Sequence, residues 1–258
     1  MIYYKSSLKM DEVENNSIHC IITSPPYPMI EKWDSVFEPQ ISEHLLNWTK
    51  PGYEKINAVL FNQFRLQHII LYRVFLECYR KMVDGGILCI NIGDATRATI
   101  STGFCCFPNY SQIVQHCMGI GFIPLVPIIW KKITNRPNAY LGSGFLPVNA
   151  YVSQDCEYIA IFRKGNKLRQ FNNEEKARRQ ESKFSKEERD KFFSQIWTIP
   201  GEKKAKQHSG WPKEIFYRLT KMFSIIGDTI LDPFAGRGNE EECVGLKRHY
   251  IGYEIDKK

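Results

Sequence analysis

The stretch Thr229-Ile230-Leu231-Asp232-Pro233-Phe234-Ala235-Gly236-Arg237-Gly238-Asn239 reads as a short apolar strand running into a glycine-containing loop. The pattern from Asn239 to Lys247 predicts a helix and His249 to Ile255 a further strand, so the segment is a β-loop-α-β unit. Glycines at 236 and 238 let the backbone approach a ligand closely. The helix start beyond them offers unpaired N–H groups. Glu254 lies 18 residues past Gly236, near the spacing at which an acid meets a ribose in nucleotide-binding βαβ units. The loop is not a dinucleotide fingerprint, because it has only two glycines and carries Asp232-Pro233 at the strand tip, where a pyrophosphate would be repelled. A cationic or zwitterionic nucleoside suits it, and S-adenosylmethionine, with its ammonium and sulfonium groups, has that charge. Standing alone, Gly-x-Gly describes a plain tight turn equally well.

A second constellation lies near the start of the chain. Ser17 to Thr23 predicts a strand that stops abruptly at Thr23-Ser24-Pro25-Pro26-Tyr27. Two prolines cannot continue a sheet and make a stiff, extended corner. The Ser24 hydroxyl and the Pro25 carbonyl together can grip an amino group and turn its lone pair outward, and Tyr27 offers a flat face on which a base can stack. A simple Pro-Pro turn with a packed tyrosine is the other reading of these residues.

Between the two, short apolar runs alternate with helical patterns, as in βα units and a mainly parallel sheet. Helices are expected over Phe64 to Met82, Ser111 to Met118, Asn172 to Phe193 (broken at Ser185, where Glu188 completes a capping box) and Pro212 to Phe223. Strands are expected over Ile87 to Ile92, after an Asp84-Gly85-Gly86 turn and closed by Gly93-Asp94, and over Phe122 to Trp130 and Tyr158 to Phe162. The expectation is one α/β domain spanning residues 1–258, with loop insertions.

Composition narrows the class. Hydrophobic residues at 43% and charged residues at 24% are near the globular average. No apolar run approaches the roughly 20 residues of a membrane span, and Met1 to Ser6 lacks a signal-peptide pattern. A cytoplasmic protein without a membrane partner is expected. The eight cysteines show no CxxC pair and several sit in apolar runs, so neither a metal site nor a disulfide framework is expected. Of the net charge of +7, a surplus of 6 falls between Gly165 and Lys213, with 13 Lys/Arg against 7 Asp/Glu. That segment reads as basic and helical, suited to a polyanion or simply a solvated face.

Taken together, Thr23-Ser24-Pro25-Pro26-Tyr27 and Asp232-Pro233-Phe234-Ala235-Gly236-Arg237-Gly238 resemble the catalytic and cofactor motifs of the DNA amino-methyltransferases. The catalytic motif comes first, the permuted order typical of the beta class. The stretches Gly85 to Asp94, Ile129-Trp130-Lys131, Glu157 to Phe162, Ile196 to Pro200, and His208 with Trp211-Pro212 resemble intervening pieces in the same order. The resemblance implies a circularly permuted, Rossmann-like methyltransferase fold using S-adenosyl-L-methionine. It implies Ser24, Pro25, Pro26 and Tyr27 as catalytic residues, and Asp232, Pro233, Phe234, Ala235, Gly236, Gly238, Glu254 and Asp94 as cofactor residues, with Asp94 equally readable as a turn cap. Serine before Pro-Pro-Tyr is usual in enzymes that methylate cytosine at N4, and aspartate in those that methylate adenine at N6. The implied substrate is a flipped cytosine in double-stranded DNA, and the implied setting is nucleoid-associated, with a cognate restriction endonuclease as a possible partner.

The chain departs from the family at Tyr4-Lys5-Ser6, where Gly-Asp is common, at Arg237 and Asn239, where small or hydroxylated residues are common, and in stopping four residues past Glu254. Target recognition is expected in the 31–63 insertion, with Trp33, Trp48 and Tyr53, or in the 133–148 loop, with Asn135, Arg136 and Asn138. An adenine-N6 enzyme of the same fold, an RNA methyltransferase and a non-catalytic DNA-binding subunit remain as alternatives.

Overall fold

The computed structural model describes residues 1–41, 58–99, 103–133, 141–142, 146–201 and 212–256. The expectations placed on Trp48, Tyr53, Asn135, Arg136, Asn138, His208 and Trp211 lie outside the described residues.

The strands are β1 (Ile2–Tyr4), β2 (Ile18–Thr23), β3 (Met82–Ile92), β4 (Ala95–Thr99), β5 (Gly103–Phe107), β6 (Phe122–Pro124), β7 (Ile128–Ile133), β8 (Leu141–Gly142), β9 (Ala150–Tyr151), β10 (Cys156–Lys164), β11 (Ile196–Pro200), β12 (Thr229–Asp232) and β13 (His249–Glu254). The main helices are α1 (Ala58–Lys81), α2 (Asn109–Ile120), α3 (Asn173–Glu181), α4 (Lys186–Phe192), α5 (Lys213–Phe223) and α6 (Glu240–Gly245). The main sheet has the order β1-β13-β12-β2-β3-β10-β7-β11, with β6 beside β10. In it β10 runs against its neighbours β3, β6 and β7, whereas the pairs β1/β13, β12/β13, β2/β12, β2/β3 and β7/β11 are parallel. The mainly parallel α/β fold expected from the alternation is the one observed.

Alternation along the strands assigns the two faces. Ile21, Leu88, Ile90, Ile92, Ala160 and Phe162 pack on one face with Leu71, Val74, Phe75 and Cys78 of α1 and Ile113 and Cys117 of α2. Cys20, Ile22, Cys89, Ile159, Ile161 and Trp130 pack on the other with Ile215, Phe216 and Leu219 of α5. The central strands β2, β3 and β10 are therefore apolar on both sides, as sheets covered by helices require.

Two local expectations are corrected. Asp84-Gly85-Gly86 does not precede the strand but lies within β3: the β2–β3 register jumps from Ile18↔Met82 to Cys20↔Ile87, and Gly85 takes φ +75°. This is a bulge, not a terminating turn. Phe122 to Trp130 is two strands, because Pro124 and Pro127 lack the N–H groups that one continuous ladder needs. The hairpin β4–β5, just past Asp94, was not foreseen; Arg97 on it grips Asp34 with two 2.8 Å hydrogen bonds and so ties down the start of the 31–63 insertion. The basic 165–213 segment contains α3, α4 and the strand β11, and it breaks at Ser185 as expected, with capping boxes at Asn172/Glu175 and Ser185/Glu188.

Candidate active site

In the sheet order, β2 leads on to β3 on one side and β12 leads on to β13 on the other, so the winding reverses between β2 and β12. In open α/β sheets, ligands bind at the carboxyl ends of the strands flanking such a reversal. Here those ends are Thr23-Ser24-Pro25-Pro26-Tyr27 and Asp232-Pro233-Phe234. The fold thus brings together two motifs far apart in the chain, and a hydrogen bond joins them: the Thr23 hydroxyl donates to Asp232 Oδ1 over 2.7 Å, 209 residues away in sequence.

The loop after β12 is shaped by its own backbone. The Phe234 N–H also donates to Asp232 Oδ1 (3.1 Å), Ala235 N–H to the Tyr253 carbonyl (2.8 Å) and Gly238 N–H to the Ala235 carbonyl (2.7 Å). Gly236 and Gly238 both have positive φ, +57° and +79°. Nothing lies within 4 Å of where a Gly236 Cβ would stand, so that position faces open space. Glu254, ending β13, accepts from the Gly236 N–H over 2.7 Å, which places the carboxylate against the loop. Asp232 is buried, and burial raises its carboxyl to about 6 against the lowering effect of the Thr23 and Phe234 donors. Arg237 is exposed, so the departure there does not fill the loop. The first turn of α6 carries Glu240, Glu241 and Glu242, an arrangement that opposes a pyrophosphate.

The catalytic-motif side is a polar row. Tyr27, half-buried, donates its hydroxyl to Glu157 Oε2 over 2.7 Å. Asn91 Nδ2 donates to Tyr27 Oη (2.7 Å) and to Glu157 Oε2 (2.8 Å). Lys132 pairs with Glu157 Oε1. Ser24 Oγ lies 3.4 Å from Tyr27 Oη and 3.5 Å from Asn91 Nδ2. Burial and the adjacent Glu157 charge push the Tyr27 phenol well above its ordinary value, keeping it a proton donor. Gly93 is glycine because a Cβ there would stand 3.1 Å from Glu157 Cγ and 3.2 Å from Tyr27 Cε2. Buried Asn109 then fixes both flanking loops, donating to the Pro28 and Gly93 carbonyls at 3.0 Å each.

Of the residues expected at the site, Ser24, Pro25, Pro26, Tyr27, Asp232, Pro233, Phe234, Ala235, Gly236, Gly238 and Glu254 line this one edge of the sheet. Asp94 lies at the same edge but accepts from the Tyr110 N–H (3.0 Å) in the first turn of α2, and burial raises its carboxyl. Its geometry is that of a turn cap. Asn91, Glu157 and Lys132 were not singled out from sequence. The available signal was a polar residue inside the apolar run Ile87 to Ile92 and an acid opening the apolar strand Tyr158 to Phe162.

A groove of about 740 Å³, lined by His19, Asp84, Lys167, Arg169 and Glu175, opens at the other end of the strands, near the starts of β2 and β12. It is remote from both motifs. The basic helices α3 and α4 are at that far end too: Arg169 pairs with buried Asp228, just before β12, and Ser182 Oγ accepts from Ile226 N–H. Among the described residues no group of three or more His, Cys, Asp or Glu is placed to hold a metal, and no helix is long and apolar enough to cross a membrane.

Comparison with known proteins agrees with this geometry. The family described as DNA methylase, of N6 and N4 methyltransferases, matches residues 18–258. The Type II methyltransferase M.MjaI of Methanocaldococcus jannaschii is 49% identical over 266 residues, covering 99% of this chain and 87% of its own. M.MthZI of Methanothermobacter thermautotrophicus is 41% identical over 270 residues, covering 99% and 72%. Among solved structures, a putative DNA modification methylase from Thermus thermophilus, complexed with S-adenosyl-L-methionine, superposes with a TM-score of 0.75 at 29% identity, covering 99% of this chain and 87% of that one. The chain therefore belongs to the N6/N4 DNA methylase family and is an S-adenosyl-L-methionine-dependent DNA methyltransferase.

Proposed function

We propose that this enzyme transfers the methyl group to the N4 amine of a cytosine flipped out of duplex DNA, as the modification partner of a restriction endonuclease acting on the same sequence. The observation that carries the reading is the position of Ser24: a hydroxyl, rather than a carboxylate, opens the Pro-Pro-Tyr corner one strand from the cofactor loop. An exocyclic amine of cytosine is a weak nucleophile because its lone pair is delocalised into the ring. Its reactivity rises when both hydrogens are held by acceptors that turn the lone pair toward the methyl carbon. Ser24 Oγ and the Pro25 carbonyl are those acceptors, and Tyr27 supplies the stacking face that offsets part of the few kcal/mol spent on flipping.

S-adenosyl-L-methionine, when bound, supplies an electrophilic methyl group on a positive sulfur. The residues present fit it. The exposed left-handed turn at Gly236 leaves room for close approach, Glu254 stands where ribose hydroxyls are held, and the acids at the start of α6 disfavour a pyrophosphate competitor. Asp232 acts from beneath, shaping Pro233, Phe234, Ala235 and Gly238 into the loop rather than facing outward.

The test is incubation with labelled S-adenosyl-L-methionine and mixed-sequence duplex DNA, then nucleoside digestion and mass spectrometry. N4-methylcytosine is the expected product. N6-methyladenine overturns the base assignment, and label appearing only on single-stranded or RNA substrates overturns the duplex substrate.

A further inference from the structure

Ser24, Asn91, Glu157 and Lys132 stand on four adjacent strands, at the ends of β2 and β3, the start of β10 and the end of β7, and on the face that buries Ile22, Cys89, Ile159 and Trp130. They form one polar row capping an apolar one. The direction of its hydrogen bonds is dictated from one end. A carboxylate only accepts, so the hydrogens of Tyr27 Oη and Asn91 Nδ2 are drawn toward Glu157 Oε2, at 2.7 and 2.8 Å. With its own hydrogen committed, Tyr27 Oη can only accept from Ser24, 3.4 Å away. Asn91 Nδ2, whose two hydrogens point to Glu157 Oε2 and Tyr27 Oη, reaches Ser24 Oγ only at 3.5 Å, so at least one Ser24 lone pair is left open. Asn91 Oδ1, at the other end of the same amide, is a second buried acceptor without a hydrogen-bond partner among the described residues.

We propose that Glu157, paired with Lys132, is a positioning residue that fixes the polarity of this row so that Ser24 presents acceptor lone pairs, not a competing donor, to the target amine. This rests on the methyl-transfer reading of Ser24. Replacing the carboxylate by an amide of the same shape adds a donor at the end of the row. An N–H from residue 157 to Tyr27 Oη lets the phenol turn and donate to Ser24 Oγ, filling the lone pair that an amine hydrogen needs.

Single-turnover methyl transfer with saturating DNA and cofactor tests this in Glu157→Gln, Tyr27→Phe and the double variant. Total methyl transferred is read, whichever base receives it, so an adenine product would overturn the base assignment without touching this result. Glu157→Gln is expected to slow transfer roughly 10- to 100-fold, the cost of a charged hydrogen bond, with cofactor and DNA dissociation constants within about twofold of the parent. Adding Tyr27→Phe removes the misdirected donor, so the double variant is expected to be faster than Glu157→Gln alone, a rescue that a merely structural role does not produce. Unchanged transfer by Glu157→Gln, a double variant no faster than Glu157→Gln, or a Glu157→Gln protein that neither binds cofactor nor melts cooperatively would each overturn the proposal.

Discussion

The Thr23 hydroxyl donates to the Asp232 carboxyl over 2.7 Å, and both groups are buried. This bond ties the strand that presents Ser24 to the strand that launches the glycine loop, so the separation of the two motifs is held by side chains as well as by the β2–β12 ladder. Thr23→Val keeps the shape and removes the donor. The buried carboxyl then loses a partner at a cost of about 1–3 kcal/mol, and the loop loses an anchor. Urea unfolding is expected to show a lower midpoint with an unchanged slope, and calorimetry a weaker affinity for S-adenosyl-L-methionine. An unchanged midpoint would mean that the ladder alone holds the halves together.

Asp232 gives the fold a pH dependence of definite sign. Burial raises its carboxyl from 3.8 to about 6 in the folded state. Between those values the folded chain holds a proton that the unfolded chain has released. Stability therefore falls as pH rises through that window and levels off above it. The full span is on the order of 3 kcal/mol. Asp232→Asn removes the charge while keeping an acceptor for Thr23 and Phe234. Its stability relative to the parent is expected to climb from about pH 4 to about pH 6 and then stay level, as measured by urea unfolding at three pH values. A difference that does not vary with pH would show that the carboxyl is not titrating in the fold.

The glycines around the cofactor loop separate by mechanism. At Gly236 a methyl group meets open space, and only the φ of +57° resists it. Gly236→Ala should cost about 1 kcal/mol of stability while weakening cofactor binding. At Gly252 a Cβ would stand 2.8 Å from Ala235 Cβ, beneath the loop, and 3.1 Å from the Tyr250 ring. Gly252→Ala should cost about 1–3 kcal/mol, because the loop backbone itself must shift. Thermal melts of the two variants rank them; Gly236→Ala as the more destabilised would refute the assignment.

Both motifs and the parallel sheet were legible because they depend on local chemistry. Proline ends β2, glycine turns follow β12, and apolar runs covered on both faces need no partner to be read. The antiparallel β10, the β4–β5 hairpin and the β3 bulge were not legible, since direction and register are set by neighbours distant in sequence. The roles of Asn91, Glu157 and Lys132 were hidden for the same reason. Each is an ordinary polar residue until pairing of β3, β10 and β7 lines them up beside Ser24. Charge alone left open where the basic segment sits: the surplus is real, and α3 and α4 pack at the strand starts, opposite the motif edge.

That location makes a prediction about DNA. A duplex presenting a base to Ser24 lies across the carboxyl ends of β2 and β12, a full strand length from the exposed Lys176, Lys183 and Lys186 of the α3–α4 segment. Each phosphate neutralised by a cation contributes about 0.9 to the slope of log K against log salt. Replacing these three lysines together by glutamine is therefore expected to leave that slope, and the affinity for target duplex, essentially unchanged. Titrations across a range of ionic strengths measure it directly. A slope shallower by about 2 or more would mean that the duplex wraps past the sheet edge onto this basic face, and the far-end helices would then belong to the DNA interface.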